Sequence, residues 1–180
     1  DIIISESNRL AQLATNVLNL SKVENTSILT NISAFELSEE IRQAILLLET
    51  KWQNKELEWI LELDEIVYSG NKDLLNQMWI NLIDNAVKFS PQGGKVKIKL
   101  HADGPQVRFQ IWDNGCGMDQ DIIGHIFDRF YQGDLSHTAE GNGIGLTVVK
   151  RIAELHGGSV SVYSEPGIGT NFKVILPVQP

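Results

Sequence analysis

The segment NKDLLNQMWINLIDNAVKF, residues 71–89, decides how the rest of the chain is read. Leu74, Leu75, Met78, Trp79, Leu82, Ile83 and Ala86 recur at three- and four-residue intervals, which predicts an amphipathic helix with a wide buried stripe. The SPQGG sequence at 90–94 ends that helix. Three polar side chains interrupt its apolar character. Asn81, Asn85 and Lys88 fall at i, i+4 and i+7, so they share one face. Polar groups set there need partners, and a ligand bearing phosphates and a divalent cation would supply them. A solvated stripe reads equally well from this segment alone.

Outward from this helix, strands and helices alternate irregularly. Residues 56–63 alternate apolar and charged (Leu57, Trp59, Leu61, Leu63) and read as a half-buried strand, with a second short strand at 66–68. Residues 26–34 are turn-like and then extended, and 35–52 carry a helical pattern through Ile41, Ala44, Ile45 and Leu48. Downstream, 96–101 and 107–112 are alternating strands joined by a turn at 103–105, followed by a short helix near Asp119. Residues 133–142 are polar with little to pack. A helix at 144–155 ends at His156-Gly157-Gly158, and 159–164 with 170–176 form a closing hairpin. Runs of both element types without regular βαβ units predict an α+β fold: a two-layer α/β sandwich, a mixed sheet covered by helices on one face. Residues 2–25 precede it as a separate helix, with Ile3, Leu10 and Val17 in heptad register and Leu13 and Leu20 between them. Such a seam is too short to stand alone and predicts pairing with another helix, or packing back onto its own domain.

Composition narrows the function. With 42% hydrophobic and 21% charged residues the chain is an ordinary globular domain, and its net charge of -8 without a basic stripe argues against nucleic acid as a partner. Cys116 is the single cysteine, so no internal disulfide forms. No apolar run reaches the ~18 residues of a membrane span. The first residue, Asp1, predicts a piece cut from a longer protein, with any membrane anchor upstream.

Three further segments bear on chemistry. Asp113-Asn114-Gly115-Cys116-Gly117-Met118 follows a strand directly. An Asp at a strand end can accept from an exocyclic amine, and glycines let backbone approach a ring; a plain turn is the equal alternative. Glu140-Gly141-Asn142-Gly143-Ile144-Gly145-Leu146 opens a helix, where exposed N–H groups and the positive dipole end suit phosphate. The string is weak alone and is not a P-loop. Between them, Ile126-Phe127-Asp128-Arg129-Phe130-Tyr131 reads as an aromatic packing anchor or the hinge of a lid.

In this order and at these separations, the segments resemble the N, G1, F and G2 boxes of bacterial sensor histidine kinases of the GHKL superfamily, whose ATP-binding domain has the Bergerat fold. The resemblance runs from about Ala34 to Pro180, and residues 7–24 resemble the second helix of the family's dimerisation and histidine-phosphotransfer hairpin. It divides the chain into 1–25, part of that hairpin, and 26–180, the catalytic domain. It implies ATP and Mg²⁺ as cofactors. Asn81 would coordinate Mg²⁺; Asn85 would contact the phosphates and order the metal. Lys88 would neutralise phosphate charge, with Asn81 and Lys88 the catalytic pair, and Phe89 would pack near the base or ribose. Asp113 would accept from the adenine N6 amine, with Gly115 and Gly117 allowing the base close. Gly141, Gly143, Gly145 and Leu146 would present lid and helix to the phosphates, and Phe127 and Phe130 would anchor the lid. The implied partners are a phosphotransfer helix carrying an acceptor histidine, a response regulator receiver domain, and a second copy in a full-length homodimer. The implied location is a cytoplasmic domain of a membrane-anchored sensor.

The chain departs from the family pattern at two points. Gln132 stands where many relatives carry an Arg near the γ-phosphate, so the cation comes from Arg129, from Lys88 or from nowhere. No acceptor histidine has the expected acidic neighbour: His101, His125, His137 and His156 are read as structural or solvated. Three readings compete with phosphotransfer. A GHKL hydrolase needs a Glu at position 81 as general base, which Asn cannot replace. A serine-phosphorylating anti-sigma-factor kinase lacks the heptad helix. A degenerate scaffold is disfavoured by the intact box residues.

Overall fold

The computed structural model describes residues 2–132 and 143–178. Its main sheet takes β2 (Glu58–Leu63), β4 (Lys95–Asp103), β5 (Gln106–Asp113), β7 (Gly169–Pro177) and β6 (Ser159–Glu165) in that spatial order. β2 runs parallel to β4 and every other neighbour is antiparallel, so the sheet is mixed as the sequence predicts. A second sheet pairs β1 (Ile32–Glu36) antiparallel with β3 (Val67–Asn71). The helices are α1 (Ile2–Asn25), α2 (Leu37–Leu47), α3 (Glu49–Asn54), α4 (Lys72–Phe89), α5 (Gln120–His125) and α6 (Gly145–Leu155).

Period-two patterning puts one face of the sheet in the core. Ile98, Ile111 and Phe172 lie side by side across three strands and all are buried, whereas Lys99, Gln110 and Lys173 form the equivalent row on the other face. The α4 stripe covers the buried face: Leu75, Met78, Trp79, Leu82 and Ile83 are fully enclosed, and the Trp79 ring lies 4.6 Å from that of Phe109. α6 packs beside it through Val148, Val149, Ile152 and Ala153. Removing this much apolar surface from water is the main force holding the layers together.

Residues 35–52 are not one helix. Phe35 and Glu36 close β1, and the helical run breaks at Leu48 (φ -102, ψ 12) into α2 and α3. The break redirects α3 so that Trp52 Nε1 donates to Ile45 O at 2.9 Å and the Trp52 ring meets Trp59 edge-on. The strand expected at 66–68 belongs to β3 and extends to Asn71, which is the N-cap of α4 rather than its first turn. Asn71 Oδ1 accepts from the Leu74 N–H at 3.0 Å, and Asn71 Nδ2 donates to Thr30 O.

α1 forms as expected and touches the domain at its C-terminal end. Leu20 and Val23 are buried, while Leu10, Val17 and Leu18 are exposed; the side chains of Ile3 and Leu13 lie outside the described ones. Arg129 pairs with Glu24 at 2.6 Å, and Arg151 donates to Thr26 O at 2.7 Å. Among the described residues, no helix is long and apolar enough to cross a membrane.

Candidate functional site

Asn81, Asn85, Lys88 and Phe89 all lie half-buried on α4, between fully buried core residues. Asn81 Nδ2 donates to Gly145 O at 3.3 Å, so this helix face meets the first residue of α6 directly. With its nitrogen engaged there, the amide of Asn81 keeps its oxygen as the atom able to ligate a metal. The Lys88 ammonium lies 4.8 Å from the centre of the Phe89 ring. Leu146, the next residue of α6, is half-buried against the core.

Asp113 ends β5 and is only 4% exposed. Antiparallel pairing places Thr170 of β7 opposite it, and Asp113 Oδ1 accepts from the Gly115 N–H at 2.9 Å. Burial pushes its carboxyl up to about 6, and the backbone N–H groups of Gly115 and Thr170 pull the other way. A buried carboxylate with spare acceptor capacity beside a glycine loop can take a hydrogen bond from a ligand amine.

The loop after Asp113 is fixed by the closing hairpin. Gly117 has φ +66, and any Cβ there would collide with the carbonyl oxygen of Glu165. Gly167 N–H donates to Cys116 O at 2.7 Å, and Met118 N–H donates to Ser164 Oγ at 2.9 Å. Ser164 is itself buried, and its hydroxyl lies 2.9 Å from Thr170 Oγ1. Ser164 and Thr170 are parts of the site that sequence reading passed over. Small polar residues alternating in a strand carry no local signal; only the strand register brings them beneath Asp113.

The aromatic segment sits across from these elements. Phe127 is half-buried with Thr147 Oγ1 donating to its carbonyl at 3.1 Å, whereas Phe130 is 59% exposed. Phe130 N–H donates to Gly143 O at 2.9 Å, which ties the two ends of the intervening segment together. That segment, 133–142, with Gly141 and His137, lies outside the described residues. Of the possible cations, Arg129 is engaged by Glu24. A groove of about 480 Å³ beside that pair is lined by Phe127, Thr147, Lys150 and Arg151, on a different side of α6 from Asn81. Among the described histidines, His125 pairs with Asp128 at the surface and His156 is buried, its ring bridging Ile152 O and the Asn71 N–H.

Among the described residues no group of three His, Cys, Asp or Glu side chains could hold a metal. The polar set instead offers amide oxygens that suit a hard cation, with a lysine and backbone N–H groups that suit the phosphates of a ligand bringing it in.

Comparison with known proteins places the chain in a family. The family model described as "Histidine kinase-, DNA gyrase B-, and HSP90-like ATPase" matches residues 70–180. Drug sensory protein A of Synechocystis is 39% identical over 96% of this chain, and the signal transduction histidine-protein kinase ArlS of Staphylococcus aureus is 31% identical over 98% of it. The chain spans 28% and 40% of those two relatives' lengths. The crystal structure of full-length ShkA in complex with AMPPNP superposes with a TM-score of 0.83 at 30% identity, covering 96% of this chain and 36% of that one.

Proposed function

From the histidine kinase-, DNA gyrase B- and HSP90-like ATPase family, to which this chain belongs, we propose that residues 26–180 donate the γ-phosphoryl group of Mg-ATP to a histidine on a helix outside this sequence. The chain is an ATP-binding catalytic domain of the sensor histidine kinase type. The observation that carries the proposal is the side chain at 81. Where α4 meets the N-terminus of α6 it presents an amide, which can ligate a metal and cannot deprotonate water.

When bound, Mg-ATP supplies the transferable phosphoryl group and much of its charge neutralisation. The residues of this chain supply position, which is most of what a loose in-line transfer requires. Asp113 accepts from the adenine amine, and Gly115 and Gly117, where a Cβ would strike the Phe89 and Glu165 carbonyls, let the loop backbone pass close to the base. Asn81 holds the metal, Asn85 and Lys88 face the phosphates, and Phe89 lines the base or ribose. Gly143, Gly145 and Leu146, with Phe130, form the wall on the phosphate side, and the family resemblance alone assigns Gly141 a role there. Residues 1–25 belong to a dimerisation hairpin, the intact protein is a homodimeric sensor with its catalytic part in the cytoplasm, and a receiver domain takes the phosphoryl group onward.

The test uses labelled ATP, Mg²⁺ and this chain, with and without an added acceptor-helix fragment. Label appears on the fragment's histidine, and phosphate release without the fragment stays negligible. Steady release of inorganic phosphate by the chain alone would overturn the proposal in favour of hydrolysis.

A further inference from the structure

Lys55, the C-cap of α3, lies outside the N, G1, F and G2 segments that build the nucleotide site. Its ammonium donates to three carbonyls at the end of α4: Val87 O at 2.9 Å, Lys88 O at 2.6 Å and Ser90 O at 2.8 Å. The last carbonyls of a helix have no intrahelical partner and carry its negative dipole end. One ammonium here satisfies three acceptors at once and uses all three of its protons. The same residue reaches the other side of the turn through its backbone, since Gly93 N–H donates to Lys55 O at 2.8 Å. Burial lowers the pKa of the amine, while hydrogen bonds to three carbonyls favour its charged form.

The clamped turn carries residues of the site. Lys88 and Phe89 are the last two residues of α4, and Asn85 sits one turn earlier. The carbonyl of Phe89 stands 2.5 Å from where a Cβ on Gly115 would be, so the end of α4 and the Asp113 loop are in close backbone approach. A shift of the α4 terminus therefore moves the phosphate-facing residues and the base-facing loop together. A misplacement of about 1 Å is enough to cost large factors in binding or rate.

Resting on the nucleotide-site reading above, we infer that Lys55 is a positioning residue for the nucleotide, whose ammonium sets the final turn of α4 and through it the placement of Asn85, Lys88 and Phe89 against the Gly115 loop. Lys51 supplies the control. It also joins α3 to α4, through an ion pair with Asp84 at 2.6 Å, but at the surface and one turn from the carbonyls.

The experiment measures Mg-ADP affinity by calorimetry for the wild-type chain, Lys55→Met, Lys55→Arg and Lys51→Met, each at a temperature where circular dichroism shows it folded. Lys55→Met weakens binding about tenfold, the value of one lost charge-assisted hydrogen bond. Lys55→Arg, which keeps charge and several donors, recovers most of the affinity, and Lys51→Met binds as wild type. Should Lys55→Met not fold, the ammonium ¹⁵N resonance of Lys55 in the wild-type chain takes its place, and it shifts on adding Mg-ADP. Unchanged affinity in folded Lys55→Met, a loss shared equally by Lys51→Met, or an unmoved ammonium resonance would each overturn the inference while leaving the site reading intact. Failure of the wild-type chain to bind Mg-ADP would overturn the site reading and this inference with it.

Discussion

At Asp113 the carboxyl is held near 6, above its ordinary 3.8, chiefly because it is buried. A carboxyl whose folded-state value is raised favours the fold below the unfolded value, and that contribution is gone once the pH passes the folded value. Near neutral pH the charged Asp113 therefore works against folding, a cost that the proposed adenine contact would offset. Asp113→Asn keeps an oxygen to accept from the Gly115 N–H but removes the buried charge. The variant unfolds at higher urea at pH 7.5, by roughly 2 kcal/mol, while Mg-ADP affinity falls at least about tenfold because an amide N–H faces the adenine amine. In the wild type, nucleotide affinity drops toward about tenfold per pH unit below 6, as the acceptor becomes protonated. Calorimetry across pH 5–8 checks this, and a flat profile sinks the adenine role of Asp113. The sequence showed an acid followed by glycines at a strand end, which alone reads equally well as a plain turn; only the order of the four segments together singled out Asp113. Its neighbours Ser164 and Thr170 were not legible, since their place under the carboxyl depends on how β5 and β7 pair.

Among the elements, α4 was readable nearly to its ends and its surroundings were not. The apolar stripe of α4 fixed which face is buried, and SPQGG at 90–94 fixed where it stops. Nothing local announced that Lys55 would cap it, or that 35–52 would yield a strand and two helices, because pairing with β3 overrides the helical pattern at Phe35 and Glu36. His156 is the same lesson at the other end. His156-Gly157-Gly158 read as a helix stop with a structural or solvated histidine, and nothing local showed that the ring joins α6 to the N-terminus of α4. Its Nδ1–H donates to Ile152 O at 2.8 Å and its Nε2 accepts from the Asn71 N–H at 3.2 Å, an arrangement that requires the neutral ring. Burial accordingly lowers its pKa below the usual 6.5. For a histidine held neutral, stability is fully present above 6.5 and is lost as the pH falls from there toward the folded value. His156→Leu leaves the Asn71 N–H buried without its acceptor and costs about 2 kcal/mol in urea unfolding at pH 7.5. The difference between wild type and variant narrows from pH 6.5 downward. Comparing the two cancels the opposite drift contributed by Asp113, and a difference that stays constant to pH 5 refutes the neutral-ring assignment.

On the scale of the whole molecule, the question is what holds α1 to the catalytic domain, because the proposed transfer needs the donor site to reach an acceptor helix. Two kinds of contact compete. The Arg129–Glu24 pair has good distance, but Arg129 is 61% exposed and such pairs contribute about 0–1 kcal/mol. Leu20 and Val23, at 5% and 1% exposure, belong to the stretch of α1 that packs on α6, and each fully buried side chain of this size contributes about 1.5–3 kcal/mol. The apolar anchor outweighs the ion pair, so docking should be insensitive to salt and sensitive to side-chain truncation. Leu20→Ala with Val23→Ala exposes the backbone at residues 26–31 to limited proteolysis and speeds amide exchange at the end of α1, whereas Glu24→Gln and added salt leave both nearly unchanged. Mg-ADP affinity stays at the wild-type value in all of these proteins, because α1 meets the domain chiefly through α6 and not through α4 or the Asp113 loop. If Glu24→Gln instead releases α1 as fully as the double truncation does, the charge pair is the true latch and Arg129 is freed in the same event. The cation left unassigned by Gln132 would then become available to the γ-phosphate only when α1 lets go.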